Sequence, residues 1–216
     1  LLGFPRERVV VAHPGVEAAF RGDPVGPPPA LPAALAGRPY VLTVATLEPR
    51  KNLDVLVDAF RALGGNDLVL AVVGGAGWGE QPRLDQPGIV RLGYVSDAEL
   101  AALYRGAAAF AYPSRFEGFG MPVVEAMACG APVVASAHPS LDEAAGDAAL
   151  RADPESAEAW AAALVRALEE APRLRAAGLA HAAAFTWEAT GRAFLDGFRA
   201  AASRGPRSGA PASLRH

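Results

Sequence analysis

Residues 40–75 read YVLTVATLEPRKNLDVLVDAFRALGGNDLVLAVVGG. Tyr40–Thr46 is an almost continuous apolar run, the pattern of a strand buried on both faces. From Asn52 to Leu63 the apolar residues recur at helical spacing, with Leu53, Leu56, Val57 and Phe60 on one face. Asp67–Gly75 is apolar again and stops at glycines. Two buried strands joined through a helix form the unit of a parallel sheet, because parallel neighbours need a crossover connection.

The alternation continues outward. Gly88–Val95 reads as a strand, and Ser96–Ala107 as a helix opened by a capping-box pair, Ser96 and Glu99. Ala108–Ser114 reads as a strand, and Pro122–Gly130 as a helix with proline at its first position and glycine past its end. Ala131–Ser136 is a further strand, and helices are expected near Ser156–Glu169, Pro172–Ala184 and Trp187–Ala202. Upstream, Arg8–Val16 reads as a short strand stopped by Pro14-Gly15. Residues 21–39 are rich in proline and read as a linker, and residues 203–216 as a disordered tail. The expected fold class is α/β, a Rossmann-like doubly wound parallel sheet.

Composition narrows the function. The chain has 216 residues, is 51% apolar and carries a net charge of −3, so no basic surface points to nucleic acid or a membrane. Cys129 is the only cysteine, which rules out an intrachain disulfide and suits a reducing cytoplasm. No signal-peptide pattern or membrane-length apolar run is present, and Leu1–Val11 reads as the middle of a longer protein. Lys51 is the only lysine among 20 basic residues, the rest being arginine. A compact ammonium kept in an arginine-rich background either marks a position where a planar guanidinium does not serve or survives by chance.

Ligands of open parallel sheets bind beyond the carboxyl ends of the strands. That rule selects the loops Thr46–Asn52, Gly74–Gly79, Val95–Asp97, Ser114–Met121 and Ser136–Glu143. Arg50 and Lys51 lie in the first, ahead of a helix, where a cation pair suits a doubly charged anion. Around Pro122, the amides of Gly118 through Val124 fall at or near a helix N-terminus, where partial positive charge collects. Glu117 precedes that helix and Glu125 lies about a turn inside it. A carboxylate can accept two hydroxyl hydrogen bonds, so each could hold a vicinal diol with phosphates between them. Diol, anion and diol describe a sugar–diphosphate–ribose ligand. "GGAGWG" (Gly74–Gly79) has the shape of a dinucleotide loop but lacks a well-placed acidic partner, so a turn lining the same cleft is the simpler reading. His13, His138 and His181 show no metal-ligand spacing, and Trp160 and Trp187 read as core or interface residues.

"EGFGMPVVE" (Glu117–Glu125) resembles the E-x7-E motif of retaining GT-B glycosyltransferases, in their group-1 (GT4) branch. "TLEPRKN" (Thr46–Asn52), "GYVSDAELAALYRGA" (Gly93–Ala107) and "SLDEAAGDAALRADP" (Ser140–Pro154) resemble the same family in the same order. The resemblance covers Gly3–Ala202 and implies the C-terminal, donor-binding half of a two-domain enzyme. Residues 1–20 would then end the N-terminal acceptor domain, 21–39 would link the two, and 40–202 would form the donor domain. The implied activity is a retaining, metal-independent sugar transfer from a UDP- or GDP-sugar, mannosyltransferase-like activity being one form. No cofactor is implied, since the nucleotide sugar is a substrate. The implied partners are that donor and the chain's own N-terminal domain, through which alone a membrane would be met.

By the same resemblance Lys51, or Arg50, would grip the diphosphate, Glu117 the transferred sugar and Glu125 the ribose. The amides of Phe119, Gly120 and Met121 would meet sugar and phosphate, and Val95 the base, with Asp97 nearby. Thr46 stands where many members carry arginine, and Gly74 would line the cleft. The helix around Trp187–Arg199 would cross back to the N-terminal domain. Competing readings are a non-catalytic nucleotide-sugar binding module or one subunit of a split enzyme, and, further off, an epimerase or a Rossmann oxidoreductase.

Overall fold

Six parallel strands carry the core: β1 (Tyr40–Val44), β2 (Val69–Val73), β3 (Ile89–Gly93), β4 (Ala109–Tyr112), β5 (Val133–Ser136) and β6 (Leu150–Ala152). Their order is β3-β2-β1-β4-β5-β6, so the winding reverses between β1 and β4. The structure is a computed structural model that describes residues 5, 8–22, 29–64 and 67–203. Strands β2, β4 and β5 are buried along their whole length, as their unbroken apolar runs require of a sheet covered on both faces.

The helices are α1 (Leu53–Leu63), α2 (Asp97–Gly106), α3 (Met121–Ala128), the single turn α4 (Asp142–Ala145), α5 (Ala157–Glu169), α6 (Ala171–Ala182) and α7 (Trp187–Ser203). Helix α1 presents Leu53, Leu56, Val57 and Phe60 to the core, the face that its periodicity predicts, and packs on α5. Trp160 and Leu164 of α5 are fully buried there. Ser96 and Glu99 form the expected capping box at the start of α2.

The chain divides into two compact units. One is residues 16–184, which hold the sheet; the other joins the described parts of residues 1–15 and 185–216. In the second unit the expected strand Arg8–Val16 is corrected. Val9–Gly15 has no regular structure, and no strand among the described residues pairs with it. Valines favour a strand only where a neighbouring ladder exists; here Val10 lies beside Gly197, and the carbonyl of His13 accepts from Thr190 Oγ1 at 2.6 Å.

Three further readings change. Strand β6 was not expected as a strand. Helix α3 begins one residue early, at Met121, which puts Pro122 at its second position. Within 21–39, Ala33–Leu35 forms a 3-10 turn that buries Leu35, while residues 23–28 lie outside the described residues. The expected tail also lies outside them, apart from Ser203, which ends α7.

Candidate functional site

The winding reverses between β1 and β4, and the loops that leave those two strands are where a parallel sheet offers a crevice. The β1 loop runs through a 3-10 turn, Pro49–Lys51, to Asn52, whose φ of 56° and ψ of 37° make it the one described non-glycine residue with positive φ. Asparagine tolerates that left-handed conformation better than most residues. Its side chain is also a tie: Nδ2 donates to the carbonyls of Pro113 (3.2 Å) and Pro154 (2.7 Å). The amide of Arg115 and Oγ of Ser114 donate to the Arg50 carbonyl at 2.9 and 3.3 Å. The two crevice loops are thus stitched together through backbone as well as side chains.

Glu117 lies where they meet and is 8% exposed. Its Oε1 accepts from Lys51 Nζ (2.7 Å), Tyr112 Oη (2.9 Å) and Ser114 Oγ (2.5 Å). Its Oε2 pairs with Arg50 Nη1 at 2.8 Å, while Arg50 Nη2 turns to Glu48 at 2.6 Å. The Glu117 amide donates to Ser140 Oγ at 3.0 Å. Burial pushes the Glu117 carboxyl up, but the hydrogen bonds from Lys51, Ser114 and Arg50 outweigh it and hold it below its ordinary value of 4.5. A depressed folded pKa stabilises the fold fully above the unfolded value, and that stability is lost as pH falls through the folded value. The stability gap between wild type and Glu117→Gln should therefore narrow on acidification from about pH 6 to about pH 3. Urea titrations at several pH values check this, and a gap that stays constant would contradict the ionic cluster.

Beyond Glu117 the chain turns at Gly120 into α3. Gly120 has a φ of 102°, and a Cβ there would lie 2.5 Å from Leu141 Cδ2, so both conformation and space demand glycine. The turn sets the first amides of α3 at the crevice. One turn in, Glu125 is half-buried and Tyr104 Oη donates to its Oε2 at 3.3 Å. Burial raises its pKa, partly offset by the Tyr104 hydrogen bond, and the carboxylates of Asp97 and Glu17 push the same way as burial.

A cavity of about 310 Å³ occupies the carboxyl ends of β1, β2 and β3. Thr46, Lys51, Gly74, Val95 and Asp97 all line it, together with Pro122 from the start of α3. The five expected residues in this lining come from three separate loops, and Pro122 adds helix α3. Seven expected residues, Arg50, Glu117, Phe119, Gly120, Met121, Val124 and Glu125, fall outside its lining. Arg50 does not line the cavity; its guanidinium is taken up by Glu117, Glu48 and the Phe116 carbonyl. The Val124 side chain is fully buried core, leaving only backbone to offer. Glu125 does not line the cavity. Phe119, Gly120 and Met121 lie at the entry to α3 as expected. Sequence reasoning missed Tyr112 and Ser114, and it missed Tyr94, which lines the cavity and is 87% exposed.

A second cavity, about 350 Å³, includes Glu48, Asp54, Asp58, Glu80 and Glu155 in its lining. Arg83 pairs with Asp54 and Asp58, and Arg115 with Glu155, which leaves an acidic wall unsuited to an anion. Among the described residues no group of three or more His, Cys, Asp or Glu is placed to hold a metal ion. No helix among them is long and apolar enough to cross a membrane.

Residues 32–181 match the family described as Glycosyl transferases group 1. O-antigen chain mannosyltransferase B of Escherichia coli is 37% identical over an alignment of 205 positions that covers 87% of this chain and 53% of that protein. D-inositol 3-phosphate glycosyltransferase of Segniliparus rotundus is 36% identical, covering 94% of this chain and 46% of its own. Among solved structures, sucrose-phosphate synthase from Thermosynechococcus elongatus superposes with a TM-score of 0.68 at 25% identity, over 89% of this chain and 52% of its own. Anabaena Alr3699/HepE, solved with UDP and glucose, superposes at 0.64 with 21% identity, over 78% and 49%. The chain spans about half the length of the curated relatives it matches.

Proposed function

The chain belongs to the group 1 glycosyl transferases, and from that premise we propose that it is the donor-binding half of a retaining, metal-independent enzyme. That enzyme moves a sugar from a nucleoside diphosphate to an acceptor held by a second domain. The observation that carries this reading is the cavity at the carboxyl ends of β1, β2 and β3, which combines the lone lysine with the start of α3. An ammonium and helix N-terminal amides together suit a diphosphate. The UDP held by the Anabaena neighbour supports a nucleotide ligand of this kind.

Breaking the sugar–diphosphate bond builds negative charge on the leaving phosphate. Preorganised cations and amides stabilise that charge most in the transition state, which is where binding becomes catalysis. Lys51 would supply the cation and the amides of Gly120 and Met121 the dipoles. Glu117 accepts three donors on Oε1 and Arg50 on Oε2, which leaves Oε2 room for one hydroxyl of the transferred sugar. Val95 and Asp97 would meet the base.

A thermal-shift panel of UDP-, GDP- and ADP-sugars on this chain tests the reading. At least one should raise the melting midpoint saturably; no response to any of them would overturn it. Glu125 does not line this cavity, so the ribose role implied by the family resemblance is tested separately: with the responding nucleotide in hand, it requires Glu125→Ala to weaken affinity by roughly 1.5–3 kcal/mol, as for a hydrogen bond to a charged group. Calorimetry showing unchanged affinity would remove Glu125 from the ribose.

A further inference from the structure

Tyr112 ends β4, and its hydroxyl lies between Lys51 and Glu117. It donates to Glu117 Oε1 at 2.9 Å and accepts from Lys51 Nζ at 3.1 Å. Lys51 and Glu117 come from two different loops, whereas Tyr112 belongs to the sheet. Its side chain is 2% exposed, and its ring stacks on Phe110 with centroids 5.9 Å apart. The core therefore fixes this hydroxyl independently of either loop.

An ammonium has three protons. Among the described residues, Glu117 takes one from Lys51 and Tyr112 takes a second, and Lys51 is one of the residues lining the cavity. Two acceptors on one side of the ammonium, themselves 2.9 Å apart, restrict rotation about the Cε–Nζ bond and turn the third proton away from them. With the phenol gone, the ammonium would pivot about its single bond to Glu117.

We infer that Tyr112 is a positioning residue of the donor site, whose hydroxyl aims the free proton of Lys51 at the diphosphate. The inference rests on the donor-binding reading above. Burial and the neighbouring Glu117 carboxylate keep the phenol protonated far above any working pH. It therefore always donates to the carboxylate and accepts from the ammonium.

Tyr112→Phe keeps the ring and removes only the hydroxyl. In the 216-residue chain it should weaken binding of the responding nucleoside diphosphate by about tenfold, the worth of one hydrogen bond involving a charged group. In a Lys51→Ala background the same change should alter affinity no further, because the hydroxyl acts through that ammonium. Calorimetry on the four proteins of this cycle decides it. Equal affinity for wild type and Tyr112→Phe would overturn the inference, as would a loss that persists without Lys51, which is what a purely structural role gives. Failure of wild type to bind any nucleoside diphosphate would overturn the donor-binding reading and this inference with it. Wild type gives a check that needs no variant. With 15N-lysine labelling, Lys51 yields the only lysine ammonium signal, and a held ammonium should exchange its protons slowly before ligand is added. A rapidly exchanging, freely rotating ammonium would overturn the inference.

Discussion

Gly74→Ala should cost about 4 kcal/mol or more and lower the melting midpoint by about 10 °C or prevent folding. Gly74 follows β2 with a φ of 136°, where a side chain is strained, and a Cβ there would lie 1.9 Å from the carbonyl oxygen of Ala45. That oxygen belongs to backbone next to β1, and the Ala45 amide is itself bonded to the Val73 carbonyl at 2.9 Å. Neither chain can retreat without opening the β1–β2 ladder at the floor of the cavity. Gly75→Ala is the control: a Cβ at Gly75 meets nothing within 4 Å, so its stability should stay within about 0.5 kcal/mol of wild type. Thermal denaturation of the two variants side by side measures the difference. A Gly74→Ala chain as stable as its Gly75→Ala counterpart would mean that the two loops do not approach as described.

Lys51→Ala should lower kcat of the enzyme complete with its acceptor domain by about 10²–10³-fold, the effect of removing one oxyanion-stabilising donor. The donor KM should rise much less, because the ammonium meets most charge when the phosphate leaves. Lys51→Arg should recover only part of the rate. Lys51 Nζ is held between Glu117 Oε1 and Tyr112 Oη at 2.7 and 3.1 Å, and its side chain is 12% exposed, so a planar guanidinium has no room to make the same pair of bonds. Steady-state kinetics at saturating acceptor decide the matter. Full activity in Lys51→Arg would show that any cation serves. Full activity in both variants would move the diphosphate to Arg50.

The sheet was legible because its strands are buried on both faces and so write continuous apolar runs, broken by a helical period between Leu53 and Phe60. Strand β6 escaped because Leu150–Ala152 is too short for periodicity and carries Arg151 at its middle. That arginine is accommodated by donating to the carbonyls of Ser136 and His138, at 3.0 Å each. Val9–Val11 misled for the opposite reason, strand-forming residues without a strand to pair with.

At the site, the loops could be placed because strand ends are where parallel sheets open. What each residue touches could not. Arg50 and Lys51 look like two equal cations facing an anion, yet both pair with Glu117, Arg50 also with Glu48 and Lys51 also with Tyr112, and of the two only Lys51 lines the cavity. That division depends on Glu117, 66 positions from Lys51, and on Tyr112, 61 positions away. Asn52 shows both limits together. Its place just before a helical run is readable, while its ties to Pro113 and Pro154, 61 and 102 positions on, are set by the tertiary fold alone.

The central claim is that the cavity at the carboxyl ends of β1, β2 and β3 seats a diphosphate against Lys51, and the chain's only lysine makes that claim directly measurable. With lysine labelled by 15N at Nζ, the side-chain ammonium gives one resonance that can be followed while a nucleoside diphosphate is titrated. The account predicts a saturable shift of that resonance with UDP or GDP, at the concentration at which calorimetry sees binding, and none with the matching nucleoside. A nucleoside diphosphate that binds while the Lys51 resonance stays where it was would contradict it.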